Sequence, residues 1–196
     1  MFHKPRGCIT ACADERHKTV MDYFSDVSDA ELFPVGRLDK DTEGLLLITD
    51  DGVLCHDLLM PENKVEKTYF FWAKGTLSDG KKEELERGAA IYPGKEDLTA
   101  PARLEILKIG TLSDIRDILC EDDLKTANRR PDLPAFSGLL TITEGKKHQV
   151  KRMLKYAGCK VLYLKRLRIG ALSLDESLPL GSYRELTENE LELLKK

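Results

Sequence analysis

The apolar residues of this chain change period repeatedly, and that most constrains its fold. Ala102–Ile109, Leu139–Thr143 and Val161–Ile169 alternate as strands, and Lys67–Lys74 is aromatic and β-prone. Val53–Met60 repeats at helical spacing and stops before Pro61. Ser78 can cap a helix that runs through Arg87 and stops at Gly88. Lys146–Ala157 is the clearest helix, with Val150, Met153, Leu154 and Ala157 on one apolar face and Gly158 at its stop. Thr187–Glu190 forms a capping box for a last short helix. Strands and helices do not alternate strictly, so the pattern predicts an α+β fold with a mixed, largely antiparallel sheet flanked by helices.

Shorter stretches read less cleanly. Phe2–Ala13 reads as a strand entering through a Lys-Pro-Arg-Gly turn, and Leu45–Thr49 as one buried strand ended by Asp50-Asp51-Gly52. Residues 111–137 are polar, carry Glu121-Asp122-Asp123 and two prolines, and read as a surface insertion with a helical turn or two near Ile115–Leu119. The 196 residues otherwise read as one domain, 1–196, long enough for a sizeable core. No run approaches the roughly 20 apolar residues of a membrane span. The N-terminus lacks the apolar core of a signal peptide. Five scattered cysteines cannot all pair within one chain, and Cys8-x-x-x-Cys12 without a second pair does not make a metal site. A cytoplasmic protein with free thiols, no metal and no membrane partner is expected.

The net charge of −3 argues against a polyanionic partner, but its distribution argues for one. Residues 145–168 carry nine cations and no carboxylate, while residues 1–144 hold 19 cations against 28 anions. Lys147, Lys151 and Lys155 also stand at i, i+4, i+8, where like charges repel by roughly 0.2–0.5 kcal/mol per pair. A phosphate-rich partner would compensate that repulsion; a solvated helix face is the alternative.

The most informative stretch is Gly36-Arg37-Leu38-Asp39-Lys40-Asp41-Thr42-Glu43-Gly44, two aspartates between glycines directly before a buried strand. Alone it reads either as a charged turn or as a loop bearing chemistry on a rigid scaffold. With Leu45-Leu46-Leu47 and Thr49-x-Asp51-Gly52, it resembles the central motif of the RNA pseudouridine synthases, in the branch typified by RsuA, an enzyme of small-subunit ribosomal RNA. Four further segments fit in order: His3-Lys4-Pro5-Arg6-Gly7, Glu66-Lys67-Thr68-Tyr69, Glu144-Gly145-Lys146-Lys147-His148-Gln149-Val150-Lys151-Arg152-Met153, and Leu164-Lys165-Arg166-Leu167-Arg168-Ile169-Gly170. The likeness spans nearly the whole chain apart from residues 111–137.

The resemblance implies two lobes with a central cleft. It implies Asp39 as the catalytic aspartate, Tyr69 as the aromatic that meets a flipped uracil, and Lys151 as the cation paired with the aspartate. It implies RNA contacts from Lys4, Arg6, Arg37, His148, Arg152 and Arg166. No cofactor is required, and nothing matches a phosphate-binding G-x-x-x-x-G-K-[ST] loop. A monomer acting on ribosomal RNA in the cytoplasm is expected, small-subunit RNA being favoured by the His-Gln-Val-Lys-Arg helix and the Leu180–Leu186 tail. The rival expectation is a non-catalytic RNA-binding module that keeps the fold. Members of this branch usually carry a small RNA-binding domain before the catalytic one, whereas here the opening motif follows Met1 almost directly, so a short form or a piece of a longer chain is expected.

Overall fold

Most of the anticipated elements form where the periodicity puts them. The computed structural model describes residues 1–27, 31–92, 94 and 97–195. In chain order the elements are β1 (Phe2–Lys4), β2 (Phe33–Pro34), β3 (Glu43–Leu46), β4 (Ile48–Thr49), α1 (Gly52–Leu59), β5 (Lys67–Lys74), α2 (Asp79–Arg87), β6 (Arg103–Thr111), α3 (Glu121–Arg129), β7 (Pro134–Ile142), α4 (Gln149–Tyr156), β8 (Lys160–Ile169), β9 (Leu172–Ser173) and α5 (Glu188–Leu194). Short 3₁₀ turns lie at Met21–Tyr23, Pro61–Asn63 and Leu112–Ile118. The chain divides into two compact units: Met1–Lys67 with Lys165–Lys196, and Thr68–Leu164.

In the first unit β1 pairs antiparallel with β3, Phe2 opposite Leu46 and Lys4 opposite Gly44. β3 runs parallel to the end of β8, Gly44 opposite Arg166, and β9 folds back antiparallel on β8. Gly44 has φ +110°, and a Cβ there would lie 2.2 Å from the Arg166 carbonyl oxygen, so only glycine permits this approach. The core gathers Met1, Val35, Leu45, Leu47, Leu58, Ile169 and Leu172.

Two strand readings are corrected here. Leu45–Thr49 is not one strand: the chain leaves β3, Leu47 accepts a hydrogen bond from the Val35 N–H at 2.8 Å, and Ile48–Thr49 pairs instead with β2. An unbroken apolar run hides a change of partner. Phe2–Ala13 pairs as a strand only over Phe2–Lys4, because Pro5 and Gly7 turn the chain; Ile9 then makes a lone parallel bridge with Thr19.

In the second unit the strands stand in the order β8, β5, β7, β6, with β6 and β7 antiparallel. One cluster joins Phe71, Leu85, Leu104, Phe136, Leu140, Met153 and Leu154. A second joins Trp72 and Leu162 to Leu112, Ile115, Ala127 and Ala135. Residues 111–137 are therefore not a surface insertion: they supply part of this second cluster, link β6 to β7 and form the first residues of β7. The acidic triplet hid α3, since Glu121, Asp122 and Asp123 occupy its first turn, where the helix dipole favours carboxylates. Pro134 begins a strand, the position where a missing N–H does least harm.

Among the described residues no helix is long and apolar enough to cross a membrane. The five cysteines are unpaired.

Candidate active site

Residues 36–42 of the first unit are held against the N-terminal segment by a set of hydrogen bonds. Gly36 has φ +71° and turns the chain out of Val35. The Thr10 hydroxyl accepts the Leu38 N–H at 3.1 Å and donates to the Leu38 carbonyl at 2.8 Å. The Gly7 N–H donates to the Lys40 carbonyl at 2.8 Å, and the Thr42 N–H to the Asp39 carbonyl at 3.0 Å. The Lys4 ammonium reaches the carbonyls of Pro5, Asp39 and Thr42 at 3.0, 3.1 and 2.9 Å. Asp39 is half-buried, standing between buried Leu38 and buried Thr42, with Arg37 and Asp41 exposed. Buried neighbours and satisfied carbonyls leave this backbone few alternatives.

Two expected RNA contacts are corrected here. Lys4 is fully buried, and its ammonium serves two carbonyls of the loop and that of Pro5 rather than a phosphate. Burial pushes its pKa down, while Cys8 and the carboxylates of Asp41, Asp39 and Glu43 act to keep it charged. Arg166 is likewise buried on β8, its Nε donating to the Leu45 carbonyl at 2.8 Å. Both side chains are buried against backbone carbonyls, which charge and motif position alone did not reveal. Arg6 pairs with Glu43 at 3.1 Å, at the start of β3. His3 is buried with Nδ1 at 2.7 Å from the Leu178 carbonyl. A carbonyl only accepts, so the proton sits on Nδ1. Burial lowers the pKa of this ring, the Leu178 hydrogen bond opposing it.

The second unit carries Tyr69 and Lys151. Tyr69 lies on β5, half-buried against the larger core cluster, next to Thr68, whose hydroxyl meets that of Thr141 at 3.0 Å. Lys151 lies on α4. This helix starts from His148, which has φ +54°, and from a latch made by Glu144 and Gln149. Gln149 donates to Glu144 at 2.6 Å and accepts the Lys146 N–H at 2.9 Å; Glu144 also accepts the Ala100 N–H at 3.0 Å. Arg152 lies over the Tyr92 ring at 4.6 Å, and the Tyr92 hydroxyl donates to the Lys147 carbonyl at 3.1 Å.

His148, Lys151, Arg152 and Lys155 line a cavity of about 510 Å³ with Ala90, Ile91 and Tyr156, and none of these described residues carries a carboxylate. Such a wall concentrates anions. Thr10, Tyr92 and the Glu144–Gln149 latch were not singled out from sequence: Thr10 lies outside the quoted motifs, and Gln149 gave no sign that its amide is buried. Among the described residues no group of three or more His, Cys, Asp or Glu could hold a metal ion.

Comparisons with known proteins agree on one family. A family model described as RNA pseudouridylate synthase matches residues 1–156. The chain is 44% identical over 195 residues to the uncharacterized RNA pseudouridine synthase YtzG of Bacillus subtilis, covering 99% of this chain and 72% of that protein. It is 39% identical over 191 residues to ribosomal small subunit pseudouridine synthase A of Vibrio cholerae, covering 97% of this chain and 71% of that protein. A crystal structure of a pseudouridylate synthase superposes with a TM-score of 0.79 at 35% identity, covering 98% of this chain and 71% of that one. An archaeal box H/ACA Nop10–Cbf5 complex, at TM-score 0.59 and 16% identity, shares the fold.

Proposed function

The chain belongs to the RNA pseudouridylate synthase family, and from that premise we propose that it converts one uridine of small-subunit ribosomal RNA to pseudouridine, with Asp39 as the catalytic carboxylate. That it is an RNA pseudouridine synthase, an isomerase, follows from the family. The RNA class and the residue roles are the proposal. In favour of small-subunit RNA stand relatives such as the Vibrio cholerae enzyme, named for that RNA.

The reaction breaks the bond between N1 of uracil and C1′ of ribose, turns the base, and joins C5 to C1′. C5 loses its proton and N1 gains one, so atoms balance within the nucleoside and no electrons are exchanged. No redox cofactor is therefore needed. A carboxylate at C1′ serves either as a nucleophile or as the base that removes a ribose proton on a glycal route. Asp39 takes this role because it directly follows Arg37-Leu38 in the family's central motif. Tyr69 stacks on the extruded base and its hydroxyl assists proton movement at C5. Lys151 takes the role of the cation that the family's helix motif pairs with the aspartate. Flipping the nucleotide costs a few kcal/mol. Phosphate contacts from Arg37, His148, Arg152 and Lys155 offset it. The enzyme works in the cytoplasm, as a monomer.

The observation that carries this reading is the immobilised loop around Asp39, in which Thr10, Lys4, Gly7 and Thr42 fix the backbone on both sides of one half-buried acid. Catalytic groups need such placement to within fractions of an ångström. The test is to map pseudouridine in ribosomal RNA from cells with and without the protein. One site missing from small-subunit RNA is expected; a site missing only from large-subunit RNA overturns the assignment of the RNA.

A further inference from the structure

We propose that Thr10 is a positioning residue for Asp39, acting through one hydroxyl that holds both backbone groups of Leu38. The inference rests on Asp39 being the catalytic carboxylate. A hydroxyl has one proton to donate and lone pairs to accept with, and Thr10 uses both functions on the same residue. This is the bonding a neighbouring β-strand would give, supplied by a side chain. The Leu38 carbonyl belongs to the peptide whose nitrogen is that of Asp39, so fixing it fixes the plane from which Asp39 departs.

The tethers from Lys4, Gly7 and Thr42 act at or beyond Asp39. Lys4 holds the carbonyls of Asp39 and Thr42, Gly7 that of Lys40, and Thr42 that of Asp39. Upstream lies Gly36, which turns the chain at a positive φ and whose backbone hydrogen-bonds Cys55. Thr10 closes that side, and with both sides closed the Cα–Cβ direction of Asp39 is set. Thr10 is itself anchored. It is buried, 6% exposed, and the adjoining Ile9 exchanges hydrogen bonds of 2.9 Å with Lys18 and Val20.

The experiment uses transcripts of ribosomal RNA carrying tritium at uracil C5, from whichever subunit the wild-type chain modifies, and reads the tritium released. Thr10→Val keeps the branched shape and removes the hydrogen bonds; Thr10→Ser keeps the hydroxyl. Each is assayed well below its own melting temperature. Thr10→Val is expected to lower kcat about 10- to 100-fold with KM changed less than about twofold, the signature of a displaced catalytic group. Thr10→Ser is expected to stay within about threefold of wild type.

A purely structural threonine would lower the melting temperature and leave kcat untouched, and that result overturns the proposal. Should Thr10→Val fail to fold, Thr10→Cys takes its place; failure of both to fold overturns the proposal too, because the hydroxyl then serves folding alone. Asp39→Asn, run alongside, separates the two assignments. Turnover in Asp39→Asn defeats the catalytic role of the aspartate. A silent Asp39→Asn beside a fully active Thr10→Val defeats only the positioning role.

Discussion

At position 4 a lysine donates to three carbonyl oxygens, one of them that of Asp39. An ammonium withdrawn from water is costly unless its protons are all bonded. Lys4→Met is therefore expected to lower stability by about 2 kcal/mol, since it strips buried carbonyls of charge-assisted bonds. It should leave the salt dependence of RNA binding unchanged. Denaturant unfolding and binding titrations at several salt concentrations check both halves; a shallower salt slope would return Lys4 to the phosphate contacts.

Lys67 offers a second test at this scale. Burial, and then the charge of Arg166, depress its pKa from 10.5 to about 8. A lysine depressed in the fold sheds its proton there before the unfolded chain does. Between about pH 8 and 10.5 the unfolded state binds more protons, so stability rises with pH across that window. Wild type should gain about 2 kcal/mol relative to Lys67→Met over it, read by denaturant unfolding at each pH.

Among the elements, β3 depends on one missing side chain. Gly44→Ala would drive a Cβ into the Arg166 carbonyl at a φ of +110°. Backbone on both sides cannot yield, so a loss of about 3 kcal/mol or more is expected, measured by chemical unfolding. A wild-type midpoint would mean that β3 and β8 separate freely there. Helix α5 hangs on Glu190, which caps Thr187 and takes a bidentate pair from Arg184 at 2.8 Å. The Arg184 hydrogen bonds hold the Glu190 carboxyl down at about 2. That contribution is present above the ordinary glutamate range and fades as pH falls from 4.5 toward 2.

Elements with their own local signals were legible: α2 from its Ser78 cap and Gly88 stop, α4 from its apolar face, β5 from its aromatic β-prone run and β8 from its alternation. Those set by tertiary partners were not. Leu47 looks like its neighbours yet is where the chain changes sheets, and α3 lies under an acidic triplet that reads as surface. The site divides the same way. Motif order singles out Asp39 and Lys151 as candidates, but no pattern told that Lys4 and Arg166 are buried tethers, because charge alone does not reveal which way a strand residue faces.

For the whole molecule, the net charge of −3 conceals a cationic block at 145–168, and α4 within it lines a cavity with His148, Lys151, Arg152 and Lys155. RNA affinity should therefore fall steeply with salt despite an acidic chain, and Arg152→Ala should lower the slope of that dependence by about one. The most direct measurement takes Asp39→Asn, a change that preserves shape and removes the charge, and follows both RNA binding and tritium released from uracil C5. Wild-type affinity with no detectable release is the predicted result; release at the wild-type rate would contradict the account at its centre.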